Sequence, residues 1–266
     1  MGLLQVIAMA AAQAVTAFFP IGSSGHRLLV SRLTGWPPPD LAMSLAVDIG
    51  MILAVAGYFW RDMIALAIGV GQVVRGRQEA EARLLLFLLG AAIPVCISGF
   101  ALADMKLPLS PSLVALGWIS IAFGLLLYVA DRIGVTVRRL PHITWGAALL
   151  IGVAQVAALV PGVGRCGIAV TAARLLGFER REAARFALLL ALPVLIGSGI
   201  LSALDLARTS GESPTIEAAV AGVTAFAVGL AAIALLMGWL RRRTFAPFAL
   251  YRVVAGGALL GWMYWA

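Results

Sequence analysis

Charge is what this chain has least of: 12% of its residues are charged, and the segments 84–103 and 218–240 carry no charged residue. An ordinary soluble domain carries about 25%, so a water-soluble fold is excluded. Cysteine is nearly absent. Cys96 and Cys166 both sit in apolar surroundings, which argues for neither a disulfide framework nor a zinc site. No basic leader precedes the first apolar stretch, so no removable signal peptide is expected.

Apolar residues fill the gap. They make up 62% of the chain, and the mean hydropathy is +1.01. The chain therefore reads as an all-α integral membrane protein, with residues 1–266 forming a single membrane domain. The net charge of +8 resembles a nucleic-acid signal. The positive-inside rule explains it better, and no nucleic-acid partner is expected.

A spanning helix needs about 20 mainly apolar residues. Six stretches qualify: 41–60, 84–103, 112–130, 184–206, 217–239 and 247–265. The regions 3–33 and 143–175 are equally apolar but are split by Pro and Gly. Each reads as a re-entrant helix–loop–helix hairpin. Taking 41–60 as running outside to inside, four inner loops collect Arg61, Arg75, Arg77 and Arg83; Arg132, Arg138 and Arg139; Arg174, Arg180, Arg181 and Arg185; and Arg241, Arg242 and Arg243. These are fourteen of the 20 basic residues, while the outer segment 207–216 keeps only Arg208 and carries Glu212. This bias puts Ala266 outside.

The two halves, 1–130 and 143–266, also repeat. At an offset of 142 residues, Gln13 matches Gln155, Gly25 matches Gly167, and Arg32–Trp36 matches Arg174–Phe178. Three spans per half is an odd number, so the second copy must be inverted. Inverted repeats with broken helices hold their ligand near the midplane, at the repeat interface.

The breaks carry the chemistry. The first runs Phe19-Pro20-Ile21-Gly22-Ser23-Ser24-Gly25-His26, and the second Val160-Pro161-Gly162-Val163-Gly164-Arg165-Cys166-Gly167. Non-helical backbone at membrane depth must be buried in protein or line a wet cavity. A hydroxyl beside an imidazole, as in Ser23, Ser24 and His26, is the minimum for nucleophilic or general-base chemistry. The same run also suits a close-packed Gly/Ser turn. A guanidinium among Gly162, Gly164 and Gly167 suits bidentate phosphate recognition, with glycine N–H groups as further donors. Together the loops form a candidate phosphate site. Asp48 is the only carboxylate well inside an expected span, and is either a packing ion pair or a functional ligand or orienter. Arg252 is expected to snorkel to the interface. Gln13 and Gln155 are expected to form interhelical hydrogen bonds. Trp36, Trp60, Trp262 and Trp265 fit interfacial belts, and His142 a solvated inner loop.

These motifs resemble the undecaprenyl-pyrophosphate phosphatases linked to bacitracin resistance. The resemblance includes Pro-x-x-Ser-Ser-Gly-His (Pro20 to His26) and Pro-Gly-x-x-Arg-x-Gly (Pro161 to Gly167). It extends to Gly50 with Ile52–Val55 and Phe59-Trp60, to Ala184-Arg185-Phe186 with Leu192-Pro193, and to Pro247-Phe248-Ala249-x-Tyr251-Arg252. It implies an inverted repeat with two re-entrant hairpins in a bacterial cytoplasmic membrane. It also implies removal of a phosphate from a polyprenyl (undecaprenyl) diphosphate, recycling the lipid carrier of cell-wall peptidoglycan synthesis. Ser23 and His26 would share the nucleophile and acid/base roles, and Arg165 would hold the diphosphate. Ser24, Gly25, Gly162, Gly164 and Gly167 would line the binding site. The family pattern has a Glu-x-x-x-Glu pair before the first break, which would hold a divalent cation such as magnesium or calcium or support the base. Here those positions are Gln13 and Ala17. Gly22 replaces a serine, Gly164-Arg165-Cys166 replaces Ser-Arg-Ser, and Asp48 stands where relatives have an uncharged polar residue or His. Two functions follow: a diphosphate hydrolase in which Asp48 substitutes for a lost carboxylate, or a non-hydrolytic binder or translocase of a phosphorylated polyprenyl lipid. A channel is disfavoured, because no continuous polar path is evident.

Overall fold

A computed structural model describes residues 2–105, 111–134, 136–209 and 215–265, apart from the side chains of Ser24, Leu33, Asp104 and Thr209. Glu212 and Ala266, used above to orient the chain, lie outside the described residues. The described residues form eleven α-helices and no strand. Six are long and apolar enough to cross a membrane: α3 (Leu41–Tyr58), α5 (Ala80–Asp104), α6 (Leu113–Ile133), α9 (Arg180–Thr209), α10 (Ile216–Trp239) and α11 (Ala246–Trp265). Only 28–39% of the most apolar window of each is buried inside the protein. The described residues leave the remaining apolar surface uncovered, and such surface suits lipid. Trp60, Trp262 and Trp265 are exposed.

Short polar caps start three of these helices, α3, α6 and α10. Asp40 accepts from Met43 N at 2.6 Å, Ser112 from Ala115 N at 3.1 Å and Thr215 from Ala218 N at 3.2 Å. Each cap satisfies an N–H that the first helical turn cannot. Without water in a bilayer, helices associate by close approach of small residues. Gly50 of α3 crosses Gly222 of α10 so tightly that a Cβ at Gly50 would collide with the Gly222 carbonyl oxygen. On α6 and α11, a Cβ at Gly256 would lie 2.6 Å from the Gly117 carbonyl oxygen.

The remaining helices include two broken pairs. α1 (Leu3–Phe18) and α2 (Ser23–Thr34) flank the first break. α7 (Trp145–Val156), a 3-10 turn over Ala157–Leu159 and α8 (Arg165–Leu175) flank the second. α1 packs on α10 as α7 packs on α5, and α3 packs on α10 as α9 packs on α5. Exchanging the two halves therefore maps one set of contacts onto the other, with α6 and α11 packing on each other.

Several expectations need correction. Residues 61–83 are not simply a loop. α4 (Trp60–Val74) follows α3 and packs on α5, burying Asp62, which pairs with Arg185 of α9. Arg174 is not a solvated loop residue but is fully buried. Asp48 is not alone, because Asp131, inside α6, is 3% exposed. One Asp131 oxygen accepts from Arg174 Nε at 3.1 Å and Arg180 Nε at 2.7 Å, and the other from Phe245 N at 3.1 Å. That carboxylate ties α6 to α8, α9 and the start of α11. His142 is exposed, as expected.

Candidate functional site

The two breaks meet in backbone contact. Gly22 has φ 89° and Gly164 φ 82°, left-handed conformations that glycine adopts without steric cost. A Cβ at Gly22 would lie 2.5 Å from the Gly162 carbonyl oxygen, and one at Gly164 would lie 2.7 Å from Gly22 Cα. No larger residue permits this crossing. Each of these two glycines is followed by the first residue of a helix, Ser23 of α2 and Arg165 of α8. Helix N-termini carry unsatisfied N–H groups and partial positive charge, which favours anions.

Beside the crossing lies a cavity of about 560 Å³. Its polar wall includes Gln13, Ser23, Arg27, Gly164, Arg165 and Ser198. Its apolar wall comes largely from α5 and α9, with Val95, Phe100, Val194 and Leu201. These wall residues follow Pro94 and Pro193, which lie inside their helices. A proline interrupts the hydrogen-bond ladder and bends the helix.

Ser23 and Arg165 are thus brought together, and His26 is not. His26 lies against a separate void of about 30 Å³. Its Nδ1 is 2.8 Å from the Gly22 carbonyl oxygen and its Nε2 is 2.7 Å from the Tyr251 hydroxyl. Since the carbonyl can only accept, the neutral ring is assigned with its proton on Nδ1, and Nε2 then accepts from Tyr251. The side chain of Ser24 lies outside the described residues. Gly25, Gly162 and Gly167 serve the crossing: a Cβ at Gly25 would approach Gly162 Cα to 3.2 Å, and one at Gly167 would approach an Arg252 guanidinium nitrogen to 3.1 Å. Of the glycines assigned to binding, only Gly164 lines the cavity.

Arg252 does not snorkel. It is 1% exposed and donates to the carbonyls of Gly162 and Val163, each at 2.9 Å. A cation from α11 thereby braces the second break. Gln155 is also buried, but its amide has no hydrogen-bond partner among the described residues, contrary to the expected interhelical bond. Gln13, its counterpart, faces the cavity instead.

Asp48 accepts from Ser198 Oγ at 3.4 Å and stands in the electrostatic field of both Arg27 and Arg165. Arg27 is the residue that sequence reasoning missed. It follows Ser23 by four positions on α2, and that one-turn spacing is the signal that it shares the serine's face. A divalent cation needs several oxygen ligands. Among the described residues no group of three or more His, Cys, Asp or Glu could hold one. Asp48, bonded to the cavity-lining Ser198, already stands in the field of two guanidinium groups that would repel a cation. The side chains present do not fit a protein-held metal.

A family profile described as bacitracin resistance protein BacA matches residues 6–258. The chain belongs to this family. BacA-family relatives named undecaprenyl-diphosphatase match nearly end to end. The Rhodospirillum rubrum undecaprenyl-diphosphatase 1 is 43% identical, covering 98% of this chain and 95% of the relative. The Roseobacter denitrificans protein is 40% identical, covering 99% and 100%. The Hahella chejuensis protein is 37% identical, covering 98% of each. Gln13 lines the cavity without a carboxylate, and Ala17, one turn further along α1, brings none either.

Proposed function

We propose that this multi-pass membrane protein hydrolyses undecaprenyl diphosphate to the monophosphate, regenerating the lipid carrier of cell-wall synthesis in the bacterial cytoplasmic membrane. The observation that carries the reading is the cavity, in which a serine and an arginine from two helix N-termini face an apolar wall. The names of relatives that match over nearly the whole chain agree with it.

Phosphoryl transfer depends mostly on positioning and charge stabilisation. Arg165 holds the diphosphate through its planar fork, and the Ser23 hydroxyl is the oxygen nucleophile at the terminal phosphorus. As the new P–O bond forms, the hydroxyl proton passes to a non-bridging oxygen of the substrate, the bridging P–O bond breaks, and the lipid monophosphate leaves as an anion. Water then releases inorganic phosphate from the serine. His26 acts on the Gly22 carbonyl and so positions the loop that carries Ser23. The exchange of contacts between the two halves supports an inverted repeat, with residues 1–130 and 143–266 as the halves and hairpins over 3–33 and 143–175. On the charge-derived topology the cavity opens toward the outer face.

The test is phosphate release from undecaprenyl diphosphate by the purified protein in detergent, with and without magnesium or calcium. The parent is expected to release phosphate. Ser23→Ala and Arg165→Ala are each expected to lower the rate about 100-fold or more, the scale for losing a charge-stabilising group. A parent inactive under every condition overturns hydrolysis. The second reading, a lipid-phosphate binder or translocase, then takes over, favoured by the uncharged Gln13 and Ala17.

A further inference from the structure

The cavity holds more positive charge than one phosphate contact uses. Arg27 and Arg165 reach it from different helices, α2 and α8, and both line it. Neither guanidinium has a hydrogen bond or contact-distance ion pair with a described residue. The buried guanidinium groups of Arg174 and Arg252, by contrast, donate to several oxygens each. An arginine that faces a cavity without a partner has its planar fork of donors available to a ligand. Asp48 is the one carboxylate acting on both, so two cations stand against one anion.

We infer that Arg27 and Arg165 form a two-guanidinium clamp, one for each phosphate of a lipid diphosphate, supplying the positive charge that a divalent cation would otherwise bring. The inference rests on the diphosphate reading above and deepens it. Two forks on separate helices match two linked phosphates, whereas a monophosphate engages only one of them. Gln13 adds a neutral amide beside the phosphates. Val95, Phe100 and Leu159 offer apolar surface for the first isoprene units. Asp48 keeps the empty clamp from carrying two uncompensated charges, and the incoming diphosphate takes over that role.

The discriminating measurement is binding in detergent by calorimetry, in EDTA, of the methylene-bridged analogue of farnesyl diphosphate and of farnesyl monophosphate. The bridging carbon prevents hydrolysis, so affinity is read apart from turnover. The parent is expected to bind the diphosphate analogue in EDTA, with added magnesium changing affinity less than about threefold. Arg27→Gln is expected to weaken diphosphate binding about 10- to 100-fold, the loss of a charge-assisted bidentate contact. Its effect on the monophosphate should stay within about threefold. Arg27→Lys keeps the charge and guards against misfolding, and it should recover part of the diphosphate preference. Unchanged diphosphate affinity in Arg27→Gln, equal losses for both ligands, or parent binding that appears only with magnesium overturns the clamp while leaving the diphosphate reading standing. A parent that binds neither probe, with or without magnesium, ends both.

Discussion

Two aspartates meet two arginines in this fold, and the pairs are built for opposite purposes. Around Asp131 the donors are met within the protein: Arg174 is fully buried and its guanidinium also donates to the carbonyls of Phe178 at 2.5 Å and Gly134 at 2.9 Å, while the half-buried Arg180 donates to the same carboxylate. Around Asp48 the arginines face a cavity of about 560 Å³ and bond to no described residue. A buried charge is costly unless it is paired and hydrogen-bonded. The first cluster is satisfied within the protein and fixes four helices. The second is left incomplete, and a ligand completes it. The lesson is that an intramembrane arginine is read by its unmet donors, not by its depth.

That contrast can be broken by substitution. The largest effect is expected at the closed cluster. Asp131→Asn leaves Arg174 buried beside a neutral amide, and loss of one partner of a buried pair costs about 3–5 kcal/mol. Thermal unfolding in detergent should show a marked fall in midpoint. An Asp131→Asn protein as stable as the parent would erase the distinction between the two sites. At the open cluster, Arg165→Lys keeps the charge and loses the fork. Affinity for the diphosphate analogue should fall about tenfold, near 1.4 kcal/mol, while stability stays within about 0.5 kcal/mol. A drop in stability with unchanged affinity would make Arg165 a packing residue.

The smallest effect sharpens the comparison by its sign. Asp48→Asn removes the one negative charge that opposes Arg27 and Arg165. Anion affinity is therefore expected to rise about threefold, a modest Coulomb term for a partly screened site. If Asp48 were instead a metal ligand replacing the lost glutamates, the same change would weaken metal-dependent binding. Titration of the diphosphate analogue with and without magnesium separates the two outcomes.

Much of this was legible in the chain. The six spans fall within a few residues of the expected stretches, because a long uncharged run has few alternatives in lipid. Both breaks lie at the Pro/Gly runs, where local backbone chemistry interrupts a helix. Ser23 and Arg165 stood out for their type and setting, and they share the cavity. The helical nature of 60–74 was less legible, since its two charges and mixed apolar face resemble a loop next to a span.

What the sequence determined by itself is thus the helical membrane class, the place of the two interruptions and the family to which they belong. All of these depend on run length and local residue type. Only the tertiary structure decided which polar groups meet. Tyr251, 225 residues beyond His26, draws that imidazole away from the cavity, and Arg27 on the next position of α2 is left facing it. Arg252 is buried because the crossing loops present it with the carbonyls of Gly162 and Val163. Such partnerships join residues far apart in the chain, and local patterns carry no record of which side of a helix a distant partner will occupy.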